Sequence, residues 1–109
     1  MTTAFNPRNN YAIVIEDLAV PTGLTLTVDS DTAITLDWTD VATHGDVLIE
    51  RSLEETSGFE EIATVALGDE TYQDTGLDPS TEYFYRIRAF YLPQGYSAYS
   101  STESATTDA

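Results

Sequence analysis

The sequence predicts an all-β fold: a seven-stranded antiparallel β-sandwich over residues 20–109, preceded by an N-terminal extension of residues 1–19. Two observations carry this. Apolar residues recur with period two in several short stretches, the mark of strands that bury one face. Clusters of Asp, Ser, Gly and Pro, such as Asp29-Ser30-Asp31, Thr43-His44-Gly45-Asp46, Asp78-Pro79-Ser80 and Leu92-Pro93-Gln94-Gly95, separate those stretches at short intervals. No apolar stretch of helical period and useful length interrupts them, so the connections suit antiparallel sheets rather than parallel α/β units.

The elements follow in order. Residues 1–10 are polar, and Tyr11-Ala12-Ile13-Val14-Ile15 then forms a short run of high β propensity closed by Glu16-Asp17. With Tyr11, Ile13 and Ile15 on one side, this run reads as a docking arm that adds a strand to a sheet edge of its own domain or of a neighbour, which would make an oligomer; the bland alternative is a linker remnant. The strongest strands are 33–38, alternating Ile34, Leu36 and Trp38; 46–51, with Val47 and Ile49; and 83–89, with Tyr83, Tyr85, Ile87 and Ala89 on one face. Weaker strands are expected at 24–28, 61–65 and 71–73, and a last polar one at about 99–106.

Composition narrows the function. The 109 residues hold 19 acidic and four basic side chains, all arginine, for a net charge of −15. This is one domain in size. Its acidity gives no attraction to phosphate backbones or anionic lipid, so neither nucleic acid nor membrane is an expected partner. Without cysteine there are no disulfides or thiolate sites. No segment approaches the roughly 20 apolar residues of a membrane helix, and the N-terminus lacks the pattern of an export signal.

Catalytic constellations are missing as well, and no enzyme, cofactor or metal is expected. His44 is the only histidine, in a turn, and no serine sits in a Gly-x-Ser-x-Gly elbow. There is no Gly-x-Gly-x-x-Gly loop and no lysine for a phosphate loop. Asp29-x-Asp31 begins like a calcium loop, but Ala33, Ile34 and Asp40 stand where a ligand, a glycine and a glutamate are needed. Acidic pairs such as Glu54-Glu55 and Glu60-Glu61 read as solvated surface.

At Leu77-Asp-Pro79-Ser-Thr81-Glu-Tyr83-Phe-Tyr85-Arg-Ile87-Arg-Ala89 the sequence resembles the fibronectin type III domain family, with its Leu-x-Pro-x-Thr-x-Tyr run. Pro21 with Leu24, Leu36-Asp-Trp38, Val47-Leu-Ile49-Glu-Arg51-Ser52, Phe59 with Ile62, Thr71-Tyr72 and Gly95-Tyr-Ser97-Ala-Tyr99-Ser100 follow in the family's order, covering about residues 20–107. The resemblance implies an immunoglobulin-like sandwich whose structural core includes Trp38, Leu77, Tyr83, Tyr85 and Ile87. A tyrosine at the start of the sixth strand buries its ring and bonds its hydroxyl to backbone just upstream, the corner known from such sandwiches.

If Tyr83, Tyr85, Ile87 and Ala89 point inward, Phe84, Arg86, Arg88 and Phe90 point outward, beside Leu48 and Glu50. With Tyr96 and Tyr99 these make a candidate interaction face of Leu48, Phe84, Arg86, Arg88, Phe90, Tyr96 and Tyr99, because aromatics and arginine are enriched at interface cores. The competing reading is that Glu50 pairs with Arg86 or Arg88 across strands and the surface is merely covered. The expected function is a non-catalytic structural or interaction module, most concretely an accessory or decoration protein of a phage virion contacting capsid or tail subunits. The alternative is a spacer or adhesion module of a secreted or cell-surface protein, with carbohydrate as a further ligand class.

Overall fold

The computed structural model describes residues 18–42 and 44–109 as eight strands. They are β1 (Thr22–Val28), β2 (Ile34–Thr39), β3 (Asp46–Ser52), β4 (Glu60–Val65), β5 (Thr71–Asp74), β6 (Glu82–Tyr91), β7 (Gly95–Tyr96) and β8 (Glu103–Thr106). All pairings are antiparallel. One sheet is β1-β2-β5; the other is β4-β3-β6, with β7 and β8 both pairing with β6. The arm residues Tyr11, Ile13 and Ile15 lie outside the described residues.

Period-two alternation decides what is buried. Ile34, Leu36 and Trp38 from the first sheet meet Val47, Ile49, Tyr85 and Ile87 from the second in one core cluster, with Leu24, Leu77 and Tyr83 at its margins. Ile34, Leu36, Ile49, Tyr85 and Ile87 have no exposed surface. Aligned sandwiches place two such inner faces about 10 Å apart, the thickness that interdigitated side chains fill.

The expected last strand, 99–106, is shorter in the structure and is preceded by a separate two-residue stub at Gly95–Tyr96. Two serines explain the difference. Between β7 and β8 the chain still follows β6, since Ser97 N–H donates to Ala89 O at 2.9 Å and Ser100 N–H donates to Ile87 O at 2.8 Å. The return bonds, however, come from side chains: Ala89 N–H donates to Ser97 Oγ at 2.8 Å and Ile87 N–H to Ser100 Oγ at 3.0 Å. Hydroxyls thus stand in for ladder carbonyls, a local competition serine is suited to.

The tyrosine corner is present. Asp78 N–H donates to the Tyr83 hydroxyl oxygen at 2.9 Å, while Leu77 is buried beneath the same corner. Tyr83→Phe strands that N–H, so the expected loss is about 1 kcal/mol, read as a fall in melting temperature of roughly 4–8 °C.

The topology gathers several loops at one pole. The start of β1, the end of β2, the start of β3, the ends of β4 and β6 and the start of β5 all lie there by register, with Thr22 opposite Thr39, Asp46 opposite Phe90, Val47 opposite Val65 and Asp37 opposite Thr71. Residues 40–42 and 44–45, with loops 66–70 and 92–94, close this end. Gly45, at φ +95°, is required here: a Cβ would stand 2.5 Å from Phe90 O. Only glycine lets the loop before β3 lie this close to β6.

Candidate functional site

The outer face of the larger sheet is built around one carboxylate. Residues of β3 alternate, so Glu50 faces away from the sandwich core, and a register shift between Ile49 and Glu50 against β4 marks a bulge at this point. Glu50 is nevertheless only 7% exposed, because partners cover it. Arg86 Nε donates to Glu50 Oε1 at 2.8 Å, and the Tyr99 hydroxyl donates to Glu50 Oε2 at 2.9 Å. Arg88 Nη2 lies 3.7 Å from the same Oε2. Burial, and next the hydrogen bond to this carboxylate, push the Tyr99 phenol above its ordinary pKa, so its proton stays on and donates.

Aromatic rings alternate with the two guanidiniums above this carboxylate. The Arg86 guanidinium carbon sits 4.1 Å from the Phe59 ring centroid and 3.8 Å from that of Tyr99. That of Arg88 sits 4.4 Å from Tyr99 and 3.7 Å from Tyr96. The Tyr96 ring then packs against Phe90 at 4.9 Å. Cation–π contact and carboxylate pairing therefore act on the same two arginines, fixing flexible side chains in one arrangement. Arg88 Nε is buried without a hydrogen-bond partner among the described residues.

The structure places Arg86, Arg88, Phe90, Tyr96 and Tyr99 of the candidate face in this row. Phe84 is half-buried further along β6, opposite Ser52 and Ser104. Leu48 is a correction. It is 6% exposed and offers no contact surface. It sits on the central strand between Thr64 of β4 and Arg88 of β6, where longer flanking side chains shield a leucine. Phe90 is likewise half-buried, and Tyr96, at 54%, is the open end of the row. Phe59, missing from the sequence-derived set, is brought in by the turn before β4; only its ring beside an outward arginine could have signalled it.

A second polar group joins the two sheets. Arg51 continues the inward side of β3 after Val47 and Ile49, and its Nη1 donates to both oxygens of Asp74 on β5, at 2.9 and 2.8 Å. The fully buried Tyr85 donates its hydroxyl to Asp74 Oδ2 at 2.6 Å. Burial above all, then the bond to Asp74, raises the Tyr85 pKa far above its ordinary value of 10.0, so the hydroxyl remains a donor throughout the neutral range. Sequence reasoning missed Arg51 and Asp74. The available signal was the period itself, which puts an arginine on a buried face and so demands a carboxylate opposite.

Among the described residues, no three or more His, Asp or Glu side chains are grouped to hold a metal ion. His44 is exposed and its ring lies 4.8 Å from that of Tyr91, in the loop region rather than in a cleft with a nucleophile.

No protein-family model matches the chain, and no curated protein sequence matches it. Solved structures do. An Fn3-like protein from Clostridium thermocellum is 26% identical, with a TM-score of 0.70 over 82% of this chain and 92% of that one. The fibronectin type-III domain of human fibronectin type III domain containing protein 3 is 25% identical, with a TM-score of 0.68 over 90% of this chain and 93% of that one. A β-1,2-glucanase from Parabacteroides distasonis is 21% identical at a TM-score of 0.76; 88% of this chain matches, spanning 13% of the glucanase. With two stacked antiparallel sheets, a tyrosine corner and these structural neighbours, the protein is a fibronectin type III-like β-sandwich.

Proposed function

We propose that this sandwich is a non-catalytic interaction module that docks a protein partner on the outer face of β3, β6 and β7. The row of Arg86 and Arg88, held between aromatic rings by the covered carboxylate of Glu50, carries the reading. Arginine and tyrosine dominate binding hot spots, and side chains already fixed lose little freedom on association. A sugar ligand is less well served, since guanidiniums lie over the rings of Phe59, Tyr96 and Tyr99.

The carrier of the module is read as an accessory or decoration protein of a phage virion, its partners being capsid or tail subunits. A second reading, a spacer or adhesion module at the cell surface or outside the cell, is favoured by the glucanase, in which the matching part is 13% of a longer chain. Sequencing the gene and its neighbours separates the two: adjacent capsid or tail genes support the particle, and a longer frame with an export signal supports the spacer. For the face itself, Tyr96→Ala should weaken capture of the subunits encoded by neighbouring genes at least tenfold while shifting the melting temperature by less than about 3 °C. Unchanged capture with the fold intact would place the contact elsewhere.

A further inference from the structure

We propose that an apolar groove at the loop pole docks a basic, apolar segment of a protein partner, seating a hydrophobic side chain in the groove with lysine or arginine beside it. The groove lies at the ends of three neighbouring strands, β4, β3 and β6. It has a volume of about 370 Å³ and is lined by Gly45, Asp46, Leu67, Phe90, Tyr91 and Leu92. Four of the six large apolar side chains exposed among the described residues, Val41, Leu67, Tyr91 and Leu92, stand at this pole, and Leu92 keeps 69% of its surface in water. A small domain seldom gathers that much apolar surface at one end unless something docks there.

Charge says what docks. Asp40, Asp46, Asp69 and Glu70 stand in or beside the loops that frame the groove, and Asp46, Asp69 and Glu70 are exposed. The first and last meet across loops, with the Asp40 N–H donating to Glu70 Oε2 at 2.7 Å. The arginines of the described residues spend their charge elsewhere: Arg51 pairs with Asp74, and Arg86 and Arg88 face Glu50. His44 lays its ring 4.8 Å from that of Tyr91. An acidic rim beside an apolar groove is complementary to a cation carried next to an apolar side chain, and close charges of opposite sign attract even near the surface. Asp40 Oδ2 adds to this, since it is buried and accepts no hydrogen bond among the described residues.

The same charge disfavours other occupants. A second copy of a chain with a net charge of −15 would bring two acidic rims face to face. Position also favours a protein partner. Phe90 lines the groove and packs against Tyr96 at 4.9 Å, so the groove is continuous with the row of Arg86 and Arg88. A partner on that row therefore has its next contact in the groove, and the two surfaces differ in sign, which sets the partner's orientation. This step rests on the docking reading of the outer face; the charge argument does not.

Four peptides test the apolar and the cationic half separately: acetyl-Arg-Ile-Leu-Arg-amide, the neutral acetyl-Gln-Ile-Leu-Gln-amide, the acidic acetyl-Glu-Ile-Leu-Glu-amide and the apolar-free acetyl-Arg-Ser-Ser-Arg-amide. Each is titrated into the full-length protein at low salt, about 50 mM, and followed by the methyl NMR signals of Leu67 and Leu92. The first should shift both with a Kd at least fivefold below that of the neutral and the apolar-free peptides and at least tenfold below that of the acidic one. Leu92→Ser, a change at an exposed position, should weaken it at least fivefold. Asp46→Asn with Asp69→Asn should bring the basic and neutral peptides within twofold of each other. Equal binding of the basic and neutral peptides to the unmodified protein, or no shift at Leu67 and Leu92, overturns the proposal. Partner capture by Tyr96→Ala is read separately: peptide binding with unchanged capture leaves the groove standing and removes the outer face, whereas lost capture with no peptide shift does the reverse.

Discussion

Replacing Asp74 with alanine is expected to lower stability by about 3 kcal/mol and the melting temperature by about 15 °C. Asp74 is 4% exposed and accepts three hydrogen bonds, two from Arg51 and one from Tyr85. Alanine leaves a cation and a buried hydroxyl without an acceptor, and breaking a buried pair from one side strands the other charge. The lower end of the usual range applies because the Arg51 side chain keeps 31% of its surface in water. Tyr85→Phe removes one neutral donor and should cost about 1 kcal/mol. Urea denaturation checks both, and a loss below about 1 kcal/mol for Asp74→Ala would show that the sheets are joined by apolar contact alone. Tyr85 also sets an alkaline limit. Its folded pKa is raised, so the stability it contributes is fully present below its unfolded value near 10.0 and is lost as pH rises beyond it.

What the sequence shows and what it hides follow from the range of each interaction. Strands were legible because alternation is local: Ile34, Leu36 and Trp38 announce a buried face without reference to the rest of the chain. The corner at Leu77 and Tyr83 was legible for the same reason, since donor and acceptor are five residues apart. Arg51 and Asp74 stand 23 residues apart on different sheets, and their meeting depends on how the sheets face each other. The strand expected at 99–106 is present but shortened to Glu103–Thr106, for a different reason. Its polar, serine-rich composition fits an edge, but whether Ser97 and Ser100 turn their hydroxyls onto β6 is decided by the backbone of β6.

The candidate face was half legible. Outward-pointing Arg86 and Arg88 follow from the period of β6, and Glu50 opposite Arg86 follows once β3 and β6 are paired in register. Reading the same alternation as a display of Leu48 and Phe90 overestimated their exposure, because alternation gives direction and not cover. A side chain that points outward from a central strand is still walled by both neighbours. The charge pairing expected as the competing reading of the face is present: Glu50 accepts from Arg86 and lies near Arg88, fixing both arginines in one arrangement.

Glu50→Ala should therefore lose about 2–3 kcal/mol and impair partner capture together, whereas Tyr96→Ala should impair capture alone. Glu50 accepts from Arg86 and Tyr99 and lies near Arg88, so its removal leaves two guanidiniums side by side on β6 with no anion between them. Their mutual repulsion and the unpaired Tyr99 hydroxyl should splay the row of rings. Glu50→Gln keeps one oxygen acceptor and the side-chain volume, and should lose only about half as much. A double-mutant cycle of Glu50→Ala with Arg86→Ala isolates the pair, with an expected coupling of about 1–2 kcal/mol. If the cycle gives no coupling, the aromatic rings alone hold Arg86, and Glu50 is covered without acting; if coupling appears but capture is unchanged, the row is a stabilising feature of the sheet and the partner binds another surface.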